Sequence, residues 1–144
     1  MSGPIKWIFD AKKLPPGDLL MLTAALREIH FWYPNKFLTD VRTDFPEIWE
    51  NNPYLTALSE DDPQTETIRF DYSIAELSNN SPRHFLEAFL DYLNGRYQLH
   101  LQLTEFRGEI HLSSEEQSKP SPIQQLTGLE LPYWIIVSGG KYDS

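Results

Sequence analysis

Residues 5–10, Ile-Lys-Trp-Ile-Phe-Asp, form a short β-favouring run that Leu14-Pro15-Pro16-Gly17 cuts off with turn chemistry, and an apolar stripe at helical spacing starts directly afterwards. Asp18 stands in N-cap position for a helix predicted through about His30. Leu19, Leu22, Leu26, Ile29 and Tyr33 recur three and four residues apart, with Met21 and Ala25 widening the stripe into one buried face. Pro34-Asn35 ends it, and Lys36-Phe-Leu-Thr-Asp-Val41 supplies a second strand. A strand, a helix with one apolar face and a second strand make a βαβ unit, which commits the chain to a parallel sheet.

The rest of the chain extends this alternation. Residues 45–49 suggest a short helix, ended at Asn51-Asn52-Pro53 because the residue before proline is pushed out of the helical region. Residues 59–66 read as an acidic loop, and residues 67–72 as a half-buried strand with Ile68 and Phe70 on one side. Ser81-Pro82 is a helix start, with Phe85, Leu86, Phe89, Leu90 and Leu93 as the apolar face and Gly95 as the stop. Residues 109–112 predict a short strand, Ser113-Ser114-Glu115-Glu116 a surface helix start, and Lys119-Pro120-Ser121-Pro122 a loop. Residues 133–137, Tyr-Trp-Ile-Ile-Val, are continuously apolar, as a parallel strand covered on both faces is. The expectation is an α/β fold, a Rossmann-like parallel sheet with helices on both faces, formed by residues 1–144 as a single domain.

Charge and composition narrow the partners. A net charge of −9 repels phosphate backbones and anionic lipid heads, so broad nucleic-acid binding is disfavoured. The charge is uneven. Residues 1–36 hold five basic side chains (Lys6, Lys12, Lys13, Arg27, Lys36) against three acidic ones (Asp10, Asp18, Glu28), so an anionic ligand should prefer this region; Lys12 and Lys13 also read simply as solvated loop lysines. With no cysteine, disulfides, thiolate metal sites and Cys nucleophiles are excluded. There is no signal peptide and no apolar run of membrane-spanning length, which fits a cytoplasmic protein.

In open parallel sheets ligands bind beyond the carboxyl ends of the strands. Two loops qualify: residues 11–18 and residues 138–141, Ser-Gly-Gly-Lys. In the first, Gly17 lets the backbone approach a ligand, and free N–H groups at the helix start favour anions. A carboxylate at Asp18 held by those donors would have a lowered pKa and could take a proton from a sugar hydroxyl. Asp18 reads equally as a plain helix cap, and Gly139-Gly140 with Lys141 as a tight strand exit. There is no G-x-G-x-x-G and no Walker loop, and His30, His84, His100 and His111 show no metal-ligand spacing, so neither a metal nor a bound cofactor is expected. Phe31, Trp32 and Tyr33 could form a sugar-stacking face or cover a sheet edge or partner domain.

The ordered set Pro16-Gly17-Asp18-Leu19-Leu20-Met21-Leu22-Thr23-Ala24-Ala25-Leu26-Arg27, then Thr39-Asp40-Val41-Arg42, Glu50-Asn51-Asn52-Pro53-Tyr54-Leu55 and the Tyr-Trp-Ile-Ile-Val-Ser-Gly-Gly-Lys segment at 133–141 resembles glycosyltransferase family 9, the ADP-heptose:lipopolysaccharide heptosyltransferases. The resemblance spans nearly the whole chain. It implies the N-terminal half of a GT-B glycosyltransferase, the half that handles the acceptor. Asp18 would match the aspartate proposed as general base in a metal-free, inverting transfer. Lys13, Pro16, Gly17, Gly139, Gly140 and Lys141 would lie along the substrate side. The implied partners are a nucleotide-diphosphate sugar and a glycan or lipopolysaccharide acceptor. The family continues past the Gly-Gly-Lys loop into a Lys-Trp segment and a C-terminal nucleotide-sugar domain that the 144 residues lack. The expectation is a truncated member, inactive alone, with self-association favoured by the surface left by the missing domain. The alternative is a non-catalytic binding or interaction module.

Overall fold

A computed structural model describes residues 3–71, 73–74 and 84–136. The chain divides into two compact units, Met1–His111 and Leu112–Ser144.

The first unit is built on a parallel three-stranded sheet in the order β2-β1-β3, with β1 at Ile5–Asp10, β2 at Phe37–Arg42 and β3 at Thr65–Arg69. Trp7 lies opposite Thr39 and Phe9 opposite Ile68. The helix α1, Pro16–Trp32, connects β1 to β2, and α2, Ala88–Tyr97, follows β3 after a 3-10 turn at Phe85–Glu87. The parallel α/β architecture expected from the alternation is the one found.

Strand periodicity decides where the core sits. Trp7 and Phe9 point to one side of β1 and are buried there with Leu22, Leu26 and Ile29 of α1 and Phe89, Leu90 and Leu93 of α2. An aromatic chain runs through this layer: Phe9 to Phe70 at 4.9 Å and Phe70 to Phe89 at 5.5 Å between ring centroids, both edge-on. Each such side chain contributes about 1.5–3 kcal/mol on burial. The polar side chains of the same strands are tied to the loop before β3. Lys6 Nζ reaches Asp62 at 2.9 Å, and Arg42 bonds Asp40 at 3.0 Å and Glu60 at 2.8 Å.

Several boundaries differ from expectation. The helix α1 begins at Pro16 with Pro15 as its N-cap, so Asp18 is the third helical residue and caps nothing. The acidic loop before β3 is shorter, because β3 starts at Thr65. The helix α2 runs through Gly95, and Gln98 makes the left-handed turn at φ 57°. Gly inside a helix costs roughly 1 kcal/mol. Tyr97 offsets it, with its ring 4.7 Å from Trp7 and its hydroxyl donating to Glu66 at 2.8 Å. Ser81-Pro82 lies outside the described residues.

Residues 109–112 form no strand. Residues 98–111 are instead an irregular strap along α1, and its backbone is satisfied by helix side chains rather than by a neighbouring strand. Tyr33 Oη accepts from His100 N at 3.0 Å, and Trp32 Nε1 donates to Gln102 O at 2.8 Å. Glu28 accepts from Thr104 N at 2.6 Å, Arg27 donates to Glu105 O and Arg107 O at 2.8 Å each, and Thr23 Oγ1 accepts from Glu109 N at 2.8 Å. The partners rise along the strap as they descend along α1, so the two run antiparallel.

In the second unit, α3 at Ser114–Ser118 carries a full capping box: Ser113 Oγ accepts from Glu116 N at 3.1 Å, and Glu116 accepts from Ser113 N at 2.9 Å. Ser121 caps a further helix, α4, at Pro122–Thr127, so the loop expected at Lys119–Pro122 ends in a helix start. The signal is the same Ser-Pro pair that marks a helix start at Ser81-Pro82. The predicted strand at 133–137 is absent over 133–136; Trp134 is 94% exposed and Ile136 87%. Its apolar composition supplies β propensity, but a strand exists only by pairing, and within the described residues nothing pairs with it. Among the described residues no helix is long and apolar enough to cross a membrane.

Candidate functional site

The carboxyl ends of the three strands are drawn together by backbone bonds. Ala11 N donates to Arg42 O at 2.8 Å, and Phe70 N donates to Asp10 O at 2.9 Å. The chain then turns through Leu14 N to Ala11 O at 3.1 Å and enters α1. Pro15 and Pro16 have no N–H, and Leu19 N is bonded to Pro15 O at 3.0 Å. The donors left open at this helix start are therefore the amides of Gly17 and Asp18.

Asp18 sits here at 6% exposure, with Oδ2 buried and without a hydrogen-bond partner. Burial raises its pKa above the usual carboxylate range. This reverses the expectation of a carboxylate held and acidified by helix donors. The first turn of a helix favours a negative charge by about 0.3–1 kcal/mol; here the loss of solvation outweighs it. A carboxylate that is harder to keep ionised is also a stronger base, which suits it to receive a proton from a hydroxyl.

Of the other predicted site residues, Lys13, Pro16 and Gly17 are exposed around the same turn. A Cβ added to Gly17 would meet nothing within 4 Å, so the space beside it is open. Gly139, Gly140 and Lys141 lie outside the described residues. Asp71, at the end of β3, accepts from Ser73 Oγ and from Ser73 N, which hold its carboxyl below the usual range. Arg42 is spent on Asp40 and Glu60.

A second polar cluster lies farther along α1. Arg27 is 5% exposed and Glu28 is fully buried. Thr39 Oγ1 donates its one proton to Tyr54 O at 2.8 Å, so His30 Nε2, at 2.8 Å from the same oxygen, is the donor to it. Neutral His30 then carries its lone pair on Nδ1. Burial lowers the His30 pKa, and Tyr54 stacks on the ring at 5.3 Å. Sequence reading of the Leu stripe misses this face. The available signal is Thr23, Arg27, Glu28 and Trp32 recurring at helical spacing on the other side of α1.

Comparison of the chain with family models, with curated proteins and with solved structures finds no match.

Proposed function

We propose that the chain is the acceptor-side half of a cytoplasmic, heptosyltransferase-like sugar transferase, in which Asp18 takes the proton from the acceptor hydroxyl. The observation that carries this reading is the buried, unpartnered Oδ2 of Asp18 beside an open Gly17, at the carboxyl end of the central strand. In the transfer, the acceptor O–H proton passes to Asp18 while the oxygen attacks the anomeric carbon of a nucleotide-diphosphate sugar. The nucleoside diphosphate leaves with the bonding electron pair, and the configuration inverts. The Asp18 proton is then released to solvent. The donor would be held by a C-terminal nucleotide-sugar domain of the kind that the resemblance implies.

Supplying a heptosyltransferase nucleotide-sugar domain in trans tests the reading. Transfer to a lipopolysaccharide-core acceptor is expected with the wild-type chain and is expected to fall by at least about a hundredfold in Asp18→Asn, the scale of a lost general base. Transfer unaffected by Asp18→Asn overturns the assignment.

A second reading, a binding or self-associating module, is favoured by the exposed apolar side chains Leu129, Leu131, Trp134, Ile135 and Ile136. Sedimentation across a concentration series distinguishes it: a mass that stays monomeric, together with no recovered partner, counts against it.

A further inference from the structure

A cleft of about 630 Å³ opens beside α1, away from Asp18. His30 is twelve residues along the helix from Asp18, or about 18 Å at 1.5 Å per residue. One wall is His30, Phe31 and Tyr54, and the other is Glu105, Arg107 and Glu109 of the strap. The volume is in the range of small-molecule sites. We propose that this cleft binds a neutral sugar ring, stacked on Phe31 and hydrogen-bonded by the strap.

Charge pairing selects the ligand class. Every charged group lining the cleft already has its counter-charge. Arg27 lies 3.1 Å from Glu28 and 3.2 Å from Glu109, and Arg107 lies 2.6 Å from Glu105. An anion or a cation needs an unpaired counter-charge to offset its lost solvation and finds none here. A polyol needs none. Its hydroxyls donate to the spare carboxylate lone pairs of Glu105 and Glu109 and accept from the Arg107 guanidinium, whose five donors exceed what one pair uses. The Tyr54 hydroxyl can serve in either direction, and His30 offers Nδ1 as an acceptor.

The aromatic wall supplies the other half of such a site. Phe31 is 59% exposed, with Trp32 edge-on to it at 5.2 Å. A large apolar ring left in water beside fixed donors and acceptors marks a ligand groove. A pyranose presents one face of C–H groups and a rim of hydroxyls, which matches a ring platform flanked by a charged rim. The strap backbone that carries this rim is fixed: Arg27 holds the Glu105 and Arg107 carbonyls and Thr23 holds the Glu109 amide before a ligand arrives.

Saturation-transfer NMR on the full chain tests this, with methyl α-D-glucopyranoside and methyl α-D-mannopyranoside as probes and with inorganic phosphate and tetramethylammonium as charged controls. Saturation of the sugar ring protons is expected, with amide shifts at Phe31, Tyr54 and residues 104–109. Phe31→Ala and Arg107→Ala, both at exposed positions, are expected to keep the wild-type amide spectrum elsewhere and to weaken sugar binding by about two- to tenfold each. Asp18→Asn is expected to leave it unchanged, so this site and the Asp18 assignment fail separately. The proposal is overturned by absence of saturation with both glycosides, by shifts that map elsewhere, by binding of phosphate or tetramethylammonium in place of sugar, or by unchanged affinity in Phe31→Ala.

Discussion

The Arg27 guanidinium lies 3.1 Å from the carboxylate of its chain neighbour Glu28, and both side chains are closed off from water, at 6% and 0% exposure. Consecutive residues on a helix do not face each other, so this pair is held by a third party. That party is the strap: Thr104 donates to Glu28 through both its N and its Oγ1, and Arg27 donates to the Glu105 and Arg107 carbonyls and to the Glu109 carboxylate. Removing Glu28 leaves Arg27 buried with only Glu109, at 3.2 Å, as its counter-charge, and breaking a buried pair costs about 3–5 kcal/mol. Glu28→Ala is therefore expected to lower unfolding free energy by that amount in urea titration. The double variant Arg27→Met/Glu28→Leu is expected to lose less than the two single changes added together, because neither member of the pair is left buried without the other.

Asp18 gives stability a dependence on pH with an unusual sign. Its folded-state pKa is raised above the unfolded value, so the folded form binds the proton more tightly. Below the unfolded pKa of about 3.9 both states are protonated and the group contributes nothing. As pH rises from there through the raised folded pKa, ionisation becomes progressively more costly to the folded state, and stability is lost. Asp18→Asn removes that cost. The variant is expected to match wild type near pH 4 and to become more stable than wild type toward pH 7, as measured by thermal unfolding at fixed ionic strength. A gap that shrinks with rising pH would contradict the buried, unpartnered carboxyl.

The parts of this fold legible in the sequence are those in which local pattern and tertiary burial agree. Leu19, Leu22, Leu26 and Ile29 fall on the buried side of α1, and Phe89, Leu90 and Leu93 on that of α2, because one periodic face was all the core required. Residues 109–112 and 133–136 were misread for a shared reason. Their β-favouring composition is real, but pairing is non-local, and no pattern within four residues reveals whether an edge is available. Within 109–112 the Glu109 amide bonds to Thr23, 86 residues away, and the His111 carbonyl to the Asn51 side chain, 60 residues away. The turn before α1 is legible in the sequence, but the helix begins two residues ahead of the expected Asp18 cap and the Asp18 pKa moves against expectation: a charge beside helix donors is visible in sequence, while the burial that overrides them is not.

His30 imposes the opposite trend. Burial lowers its folded pKa, so the unfolded chain binds the proton more readily. Above the unfolded value of about 6.5 both states are neutral and nothing is lost. As pH falls through that value toward the lowered folded pKa, stability declines. His30→Gln, which can still donate to Thr39, is expected to flatten this decline between about pH 6.5 and pH 5. Histidine ring ¹⁵N shifts provide a direct check: His30 should remain neutral, protonated at Nε2 because Thr39 has already given its proton to Tyr54, at a pH just below the ordinary imidazole value of about 6.5.

Gly108 fixes how closely the strap approaches α1. A Cβ built there would overlap the Leu20 carbonyl oxygen and sit 2.8 Å from Leu20 Cγ, so the obstruction includes helix backbone that cannot rotate away. Gly17, three residues before Leu20 on the same helix, has nothing within 4 Å of an added Cβ. The two glycines should therefore respond oppositely to alanine. Gly17→Ala is expected to stabilise by about 0.4–1 kcal/mol through the unfolded chain. Gly108→Ala is expected to destabilise by about 1–3 kcal/mol as the strap is forced outward. Hydrogen exchange separates a local effect from a global one: in Gly108→Ala the amides of Thr104 and Glu109, which bond to Glu28 and Thr23, should lose protection before those of β1. Equal loss across the sheet would mean that the strap and the sheet open as one unit.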